Sequence, residues 1–214
     1  MTPLRLRVWS DYLCPWCYNA SVRLERLEQE LGPALELEWR AYLLRPTPRA
    51  PGGDRGEALE RFVRYTETWL RPASEPDGGR FRVWETTEGP PSHSVPAHVA
   101  ARAARAVGPG AFRALHARLL EAYFAENRDI SRADVLHALW GEAGLPAAAF
   151  ERTLDPALER EVRAEHAEAT RLGVTGVPAA QLAGMDTALV GALPLETYRR
   201  WLRRHLPEAA ALVE

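Results

Sequence analysis

Ser10-Asp11-Tyr12-Leu13-Cys14-Pro15-Trp16-Cys17-Tyr18 is the stretch whose surroundings decide the fold of this chain. Before it, Leu4, Leu6, Val8 and Trp9 are broken by Arg5 and Arg7 in a short strand-like run. After it, Ala20, Leu24, Leu27 and Leu31 fall on one helical stripe, and Gly32-Pro33 ends the helix. Leu35, Leu37, Trp39 and Ala41 then alternate with Glu36, Glu38 and Arg40, which predicts a second strand over Leu35–Leu44. A strand, a helix and a strand of these lengths read as a parallel pair joined by a crossover helix. The only two cysteines of the chain therefore stand where the first strand gives way to the helix.

That placement has chemical consequences. At a helix start, residues three apart lie about 5 Å apart at Cα, within the range a disulfide spans. Pro15 suits the first turn, where its missing N–H costs nothing. Cys14 faces unpaired backbone N–H groups and the positive end of the helix dipole. Both favour the thiolate, so its pKa should fall below the free value of about 8.5. Cys14 is the expected nucleophile, and Cys17, one turn further in, the thiol that resolves a mixed disulfide. No His lies between them to add an imidazolium. Asp11 is either a tuning group near the thiols or a turn-forming residue after a strand. Trp16 is expected to be exposed beside the thiol, where it contacts substrate or is simply tolerated, and Tyr18 to lie in the core.

Farther along, Arg45 to Gly56 holds three prolines and three glycines and reads as a loop. From Glu57 to Leu172 the pattern is helical. Leu59, Phe62, Val63 and Trp69 mark one helix, and Phe112, Leu115, Leu119 and Tyr123 another. An Ala-rich helix covers Ala97–Ala106. Ser131 with Asp134 predicts a capping pair, and Asp155-Pro156 an N-cap followed by a first-turn proline. Pro72–Gly79 and Gly89–Ser94 read as connections. His166, near the stripe of Leu158, Val162 and Ala169, reads as a packed helix residue. Past the loop Gly173–Pro178, Ala179–Leu182 and Thr187–Val190 predict a hairpin around Gly184, and Leu195, Tyr198 and Leu202 a closing helix. The fold class is therefore α/β: a thioredoxin-like core (β-α-β … β-β-α) with an inserted all-helical domain. The core is assigned to residues 1–45 and 172–214 and the insertion to 46–171, packed onto the core without a flexible linker.

Composition narrows the function classes. Apolar residues make up 46% of the 214, and the net charge is −2, so neither a nucleic-acid footprint nor a polybasic membrane patch is evident. Every Lys+Arg residue is Arg, which leaves no Lys for Schiff-base chemistry. The opening strand is too short and too charged for a signal-peptide core, and no stretch reaches the roughly 20 apolar residues of a membrane span. A soluble, cytoplasmic protein is expected, where a dithiol is seldom a structural staple. A lone C-x-x-C can also be half a zinc site, but a second pair of ligands is required and the six His are scattered. No metal and no cofactor are expected.

Ser10–Tyr18 resembles the active-site segment of the DsbA-like thioredoxin-fold family, and most of all its cytosolic FrnE-like branch. Gly173-Val174-Thr175-Gly176-Val177-Pro178 resembles the same family's cis-proline loop, and the helical stretch with Arg128-Asp129-Ile130-Ser131 is also similar. The resemblance covers essentially the whole chain. It implies a cis Val177–Pro178 peptide facing the dithiol, with the Val177 backbone bared for a substrate segment. Pro15, Trp16, Val177 and Pro178 then form the substrate-binding set around Cys14 and Cys17. Where the family often continues past this proline with bulky apolar residues, this chain has Ala179, Ala180 and Gln181, which predicts a weaker strand or a wider groove. The implied activity is thiol–disulfide exchange with a disulfide- or thiol-containing protein or small molecule, glutathione among the candidates. Two other classes share the layout. One is a glutathione-dependent transferase or isomerase of the kappa or 2-hydroxychromene-2-carboxylate isomerase type, which usually carries Ser where Cys14 stands and no second Cys. The other is a binding protein without turnover.

Overall fold

The computed structural model describes residues 3–49 and 54–206. The expected core segments at 1–2 and 207–214, and the loop positions 50–53, lie outside the described residues. The element order is β1 (Leu4–Ser10), α1 (Pro15–Leu31), β2 (Leu35–Ala41), α2 (Arg55–Thr66), α3 (Leu70–Ala73) and α4 (Val95–Val107). It continues through α5 (Pro109–Phe124), α6 (Ala133–Glu142), α7 (Pro156–Arg171), β3 (Ala179–Leu182), β4 (Leu189–Val190) and α8 (Leu195–Arg203). Short 3-10 turns cover Gly32–Ala34, Glu67–Trp69 and Ala147–Leu154.

The four strands form one mixed sheet in the order β2-β1-β3-β4. β1 and β2 run parallel from Leu4 opposite Leu35 to Ser10 opposite Ala41. β3 runs antiparallel to β1, with Ala180 opposite Val8 and Ala179 opposite Trp9. This is the α/β thioredoxin-like arrangement, with an inserted helical region between β2 and β3. The two-residue period of β1 sorts its side chains between the faces. Leu6 and Val8 join the main core with Leu24 and Leu27 of α1 and Tyr198 and Leu202 of α8. Trp9 points to the other face, against Ala169 of α7, Val174 and Ala179.

The inserted helices do not stand apart from this core. Phe62, Trp69, Leu115, Leu119, Tyr123, Phe124 and Trp140 belong to the same buried cluster as the sheet residues. Tyr18 of α1 stacks on Phe124, with ring centroids 5.8 Å apart. Asn19, fully buried, donates to the Pro72 carbonyl at 2.9 Å and accepts from the Gly79 N–H at 2.8 Å. The chain passes so close to α1 here that a Cβ on Gly78 would lie 2.4 Å from Asn19 Oδ1. One on Gly79 would lie 2.4 Å from the Tyr18 ring.

Several expectations need correction. The second strand ends at Ala41, not Leu44, because side chains take over its backbone groups: Glu165 accepts from the Ala41 N–H, His166 from Leu43 and Asp11 from Leu44. α2 starts at Arg55 inside the expected loop, capped by Asp54, whose Oδ1 accepts from the Glu57 N–H at 3.1 Å. The single helix expected through Trp69 is broken into α2, a 3-10 turn and α3, so Pro72 is helical and the connection begins after Ala73. The hydroxyls of Thr66 and Thr68 donate back to the Val63 and Tyr65 carbonyls at this break. Ser131 does not cap α6. Its hydroxyl donates to Asp129 at 2.6 Å, and Arg132 occupies the N-cap without a side-chain bond. Asp155 does cap α7, accepting from the Ala157 N–H at 2.8 Å. The last strand is only Leu189–Val190.

The strand after Pro178 is not weak. Every residue of β3 is buried, and it occupies an interior position in the sheet. Its small side chains complement Trp9, a fully buried indole that fills the space larger residues at Ala179 would take. Among the described residues no helix is long and apolar enough to cross a membrane.

Candidate active site

Cys14 sits at the N-cap of α1 with extended backbone angles, φ −100° and ψ 116°. A tight turn sets this up: Asp11 accepts Leu13 N–H on its side chain at 2.7 Å, and the Asp11 carbonyl accepts the Cys14 N–H at 3.1 Å. Pro15 occupies the first helical turn. The Cys14 carbonyl receives the N–H groups of Cys17 and Tyr18, at 3.0 and 3.4 Å. No acidic residue lies in the first turn to oppose a thiolate there.

The two thiols differ in their surroundings. Cys14 keeps 7% of its surface exposed and Cys17 none. A hydrogen bond from Cys17 holds the Cys14 pKa below the ordinary thiol value, helped by the backbone N–H groups of Cys17 and Trp16. Burial and the Asp11 charge act against it. Burial pushes the Cys17 thiol well up, and the neighbouring Cys14 adds to the rise. Both cysteines are free thiols. The two thiols thus stand in unlike surroundings, the Cys14 pKa lowered and the Cys17 pKa raised.

Asp11 is fully buried, and its role is divided. Oδ1 accepts from Leu13, Oδ2 accepts from Leu44 at 2.6 Å, and its own N–H points at Cys17 Sγ at 3.5 Å. Burial raises its pKa to about 6, against the pull of the Ser94 hydroxyl, these backbone donors and Arg45. It is thus the turn-forming residue and an ionisable neighbour of the thiols at once.

Val177 and Pro178 arrive from the far end of the sequence. Their peptide bond is cis. The Cys14 thiol donates to the Val177 carbonyl at 3.5 Å, and Pro178 is buried while Val177 is half-buried. Trp16 and Pro15 are half-buried, so Trp16 is less exposed than expected. Contacts thus join Asp11 to Cys17 and Cys14 to Val177, with Asp11, Cys17 and Pro178 buried beneath the half-buried Pro15, Trp16 and Val177. His166 is not part of this group. Its Nδ1 accepts from the Leu43 N–H at 3.1 Å and its ring meets Tyr42 edge-on.

Behind the site is a buried polar chain that the sequence does not reveal. The Tyr12 hydroxyl bonds to His116 Nδ1 at 2.8 Å, and His116 Nε2 bonds to Ser21 Oγ at 2.8 Å. The His98 ring lies against Tyr12, tilted by 56° with centroids 4.8 Å apart. Burial lowers both His98 and His116 to about 3, so both are neutral near pH 7. His93 and His98 have four residues between them, a spacing zinc ligands use. Yet among the described residues no three of His, Cys, Asp and Glu converge to hold a metal ion.

Next to Leu13, the residue before Cys14, opens a cleft of about 400 Å³. Leu13 forms part of its wall, facing Arg45, Arg49, Arg61 and Tyr65.

Comparison with known proteins agrees with this geometry. The uncharacterized protein YwbO of Bacillus subtilis (strain 168) is 24% identical over 200 residues, 92% of this chain and 94% of its own length. SCO1869 of Streptomyces coelicolor, named a probable DsbA oxidoreductase, superposes with a TM-score of 0.72 at 26% identity, over 94% of this chain and 89% of that one. The cytosolic disulfide reductase DsbM of Pseudomonas aeruginosa, solved with GSH, superposes with a TM-score of 0.71 at 25% identity, over 94% and 98%. The sequence profile of the DSBA-like thioredoxin domain matches residues 5–203, from the first strand to the last helix, and the chain belongs to that family.

Proposed function

We propose that this protein is a thiol–disulfide oxidoreductase of the FrnE-like branch, working in the cytosol through the Cys14–Cys17 dithiol. The observation that carries the reading is the asymmetry of the pair: a depressed thiol at the open helix start and a raised thiol sealed one turn behind it. The Cys14 thiolate attacks one sulfur of a substrate disulfide. That S–S bond breaks, one substrate thiolate leaves and takes a proton from solvent, and a Cys14–substrate disulfide remains. Cys17, losing its proton, then attacks Cys14 Sγ, and the second substrate thiol departs. Two electrons have passed to the substrate, and the protein is left with a Cys14–Cys17 disulfide. The steps run backwards with a substrate dithiol.

The Val177 carbonyl beside Cys14 offers a backbone acceptor for a strand-like substrate segment, with the buried Pro178 next to it and the half-buried Pro15 and Trp16 following Cys14 in the chain. The same carbonyl holds the neutral thiol at rest and releases it when the proton leaves. The name and the bound GSH of DsbM support a small thiol, glutathione among them, as one partner class, and support the cytosol as compartment. A transferase or isomerase chemistry has no use for the second, buried thiol.

Reduction of insulin with dithiothreitol as electron source tests the reading. The wild type is expected to accelerate insulin precipitation, and Cys14→Ser to leave the background rate unchanged. Equal acceleration by wild type and Cys14→Ser would defeat the assignment.

A further inference from the structure

Two cations lining the cleft next to Leu13, Arg45 and Arg49, make no ion pair among the described residues, although Arg45 stands near enough to the buried Asp11 to lower its pKa. The Arg45 guanidinium donates only to the Pro91 carbonyl, at 3.3 Å, and the Arg49 guanidinium makes no hydrogen bond to the described protein. By contrast Arg61, on the same cleft, pairs with Glu57 at 3.4 Å. Partial desolvation, and after it the charge of Arg45, lowers the pKa of Arg49. Arg45 is half-buried and Arg49 exposed, so both can turn their donors to an anion that enters the cleft.

The cavity also has the right place and size. Its wall includes Leu13, adjacent to Cys14 in sequence, and Tyr65, whose phenol is close enough to Cys14 for a thiolate there to raise its pKa. Tyr65 and Leu44 remain 47% and 51% exposed, so the cleft opens to solvent. About 400 Å³ is in the range of small-molecule sites. The wall is apolar and aromatic apart from its arginines, which suits a short organic body with a charged end.

We infer that this cleft is a specificity site: Arg45 and Arg49 bind the carboxylate of a small acidic disulfide, presenting its sulfur to Cys14. The inference rests on the thiol-exchange reading and adds the substrate class to it. In the exchange, Cys14 attacks the disulfide sulfur while the carboxylate stays on the arginines. The leaving thiolate departs from the opposite side, and Cys17 completes the two-electron oxidation of the protein. No further reductant takes part in this single turnover.

The test is a single-turnover assay on reduced protein with three disulfides of similar size: dithiodiglycolate (anionic), bis(hydroxyethyl) disulfide (neutral) and cystamine (cationic). Dividing each rate ratio in the wild type by the same ratio in a variant removes intrinsic reactivity. The anionic-to-neutral ratio is expected to be roughly tenfold higher in wild type than in Arg45→Gln/Arg49→Gln, and to shrink with added salt. Arg49→Gln alone, whose side chain holds nothing else in place, should give an intermediate ratio and guards against a folding defect. Ratios unchanged by both variants, with the neutral disulfide still consumed, would overturn the cleft assignment while sparing thiol exchange. Failure of folded wild type to consume any of the three would overturn both.

Discussion

At the scale of single residues, the account rests on two thiols made unequal by position. Cys14 caps a helix, and Cys17 is shut inside it. Alkylation of the reduced protein by iodoacetamide should therefore label Cys14 first, with a pH midpoint below the free-cysteine value of about 8.5. Cys17 should label only slowly. Equal rates at the two positions would contradict the electrostatics. These residues were legible in the sequence because the rule that reads them is local: a proline-bearing C-x-x-C between a strand and a helix. Val177 and Pro178 were legible only through resemblance, since no spacing rule links them to position 14. The Tyr12–His116–Ser21 chain was not legible at all. Its members are separated by up to 104 positions, and each alone reads as an ordinary core or helix residue.

Elements are held in register by a few close approaches. The loop after α3 passes α1 so tightly that Gly78 and Gly79 have no room for a Cβ. Gly79→Ala would press a methyl into the Tyr18 ring and displace the bond from its N–H to Asn19. We expect this substitution to cost roughly 2 kcal/mol, in the range of overpacking and a disturbed buried hydrogen bond. Urea unfolding measures it; a loss under about 0.5 kcal/mol, the level of a neutral surface change, would show that the loop can shift freely. The outer edge of β2 is handled differently. Glu165 of α7 accepts its Ala41 N–H, and Arg105 of α4 donates to its Trp39 carbonyl, so the helical region covers the edge polar groups. Helix starts were read correctly where the cap competes with nothing nearby, as at Asp155. At Ser131 the adjacent Asp129 takes the hydroxyl, and a pattern of residue types cannot rank the two bonds.

Over the whole molecule, the strand order and the inserted helices follow from where the two-residue and helical periods change along the chain. The shared core between helices and sheet does not, because periodicity says which face is apolar but not what it meets. The buried ionisable groups give that core a pH dependence. His98 and His116, lowered to about 3, bind protons below about 6.5 only when unfolded, so their stabilising share is lost as pH falls. Asp11, raised to about 6, binds a proton in the folded state first and partly offsets this loss between about pH 6 and pH 4. Two groups outweigh one, and urea midpoints should show a loss of roughly 2 kcal/mol from about pH 7 to about pH 5. Stability that holds level or rises on acidification would mean the histidines are not buried neutral. The central claim, that Cys14 attacks and Cys17 resolves, is tested most directly by mass spectrometry of Cys17→Ser after exposure to a small disulfide. The account predicts a stable adduct of one substrate thiol on Cys14, absent from Cys14→Ser; an unmodified Cys14 in the folded Cys17→Ser protein would contradict it.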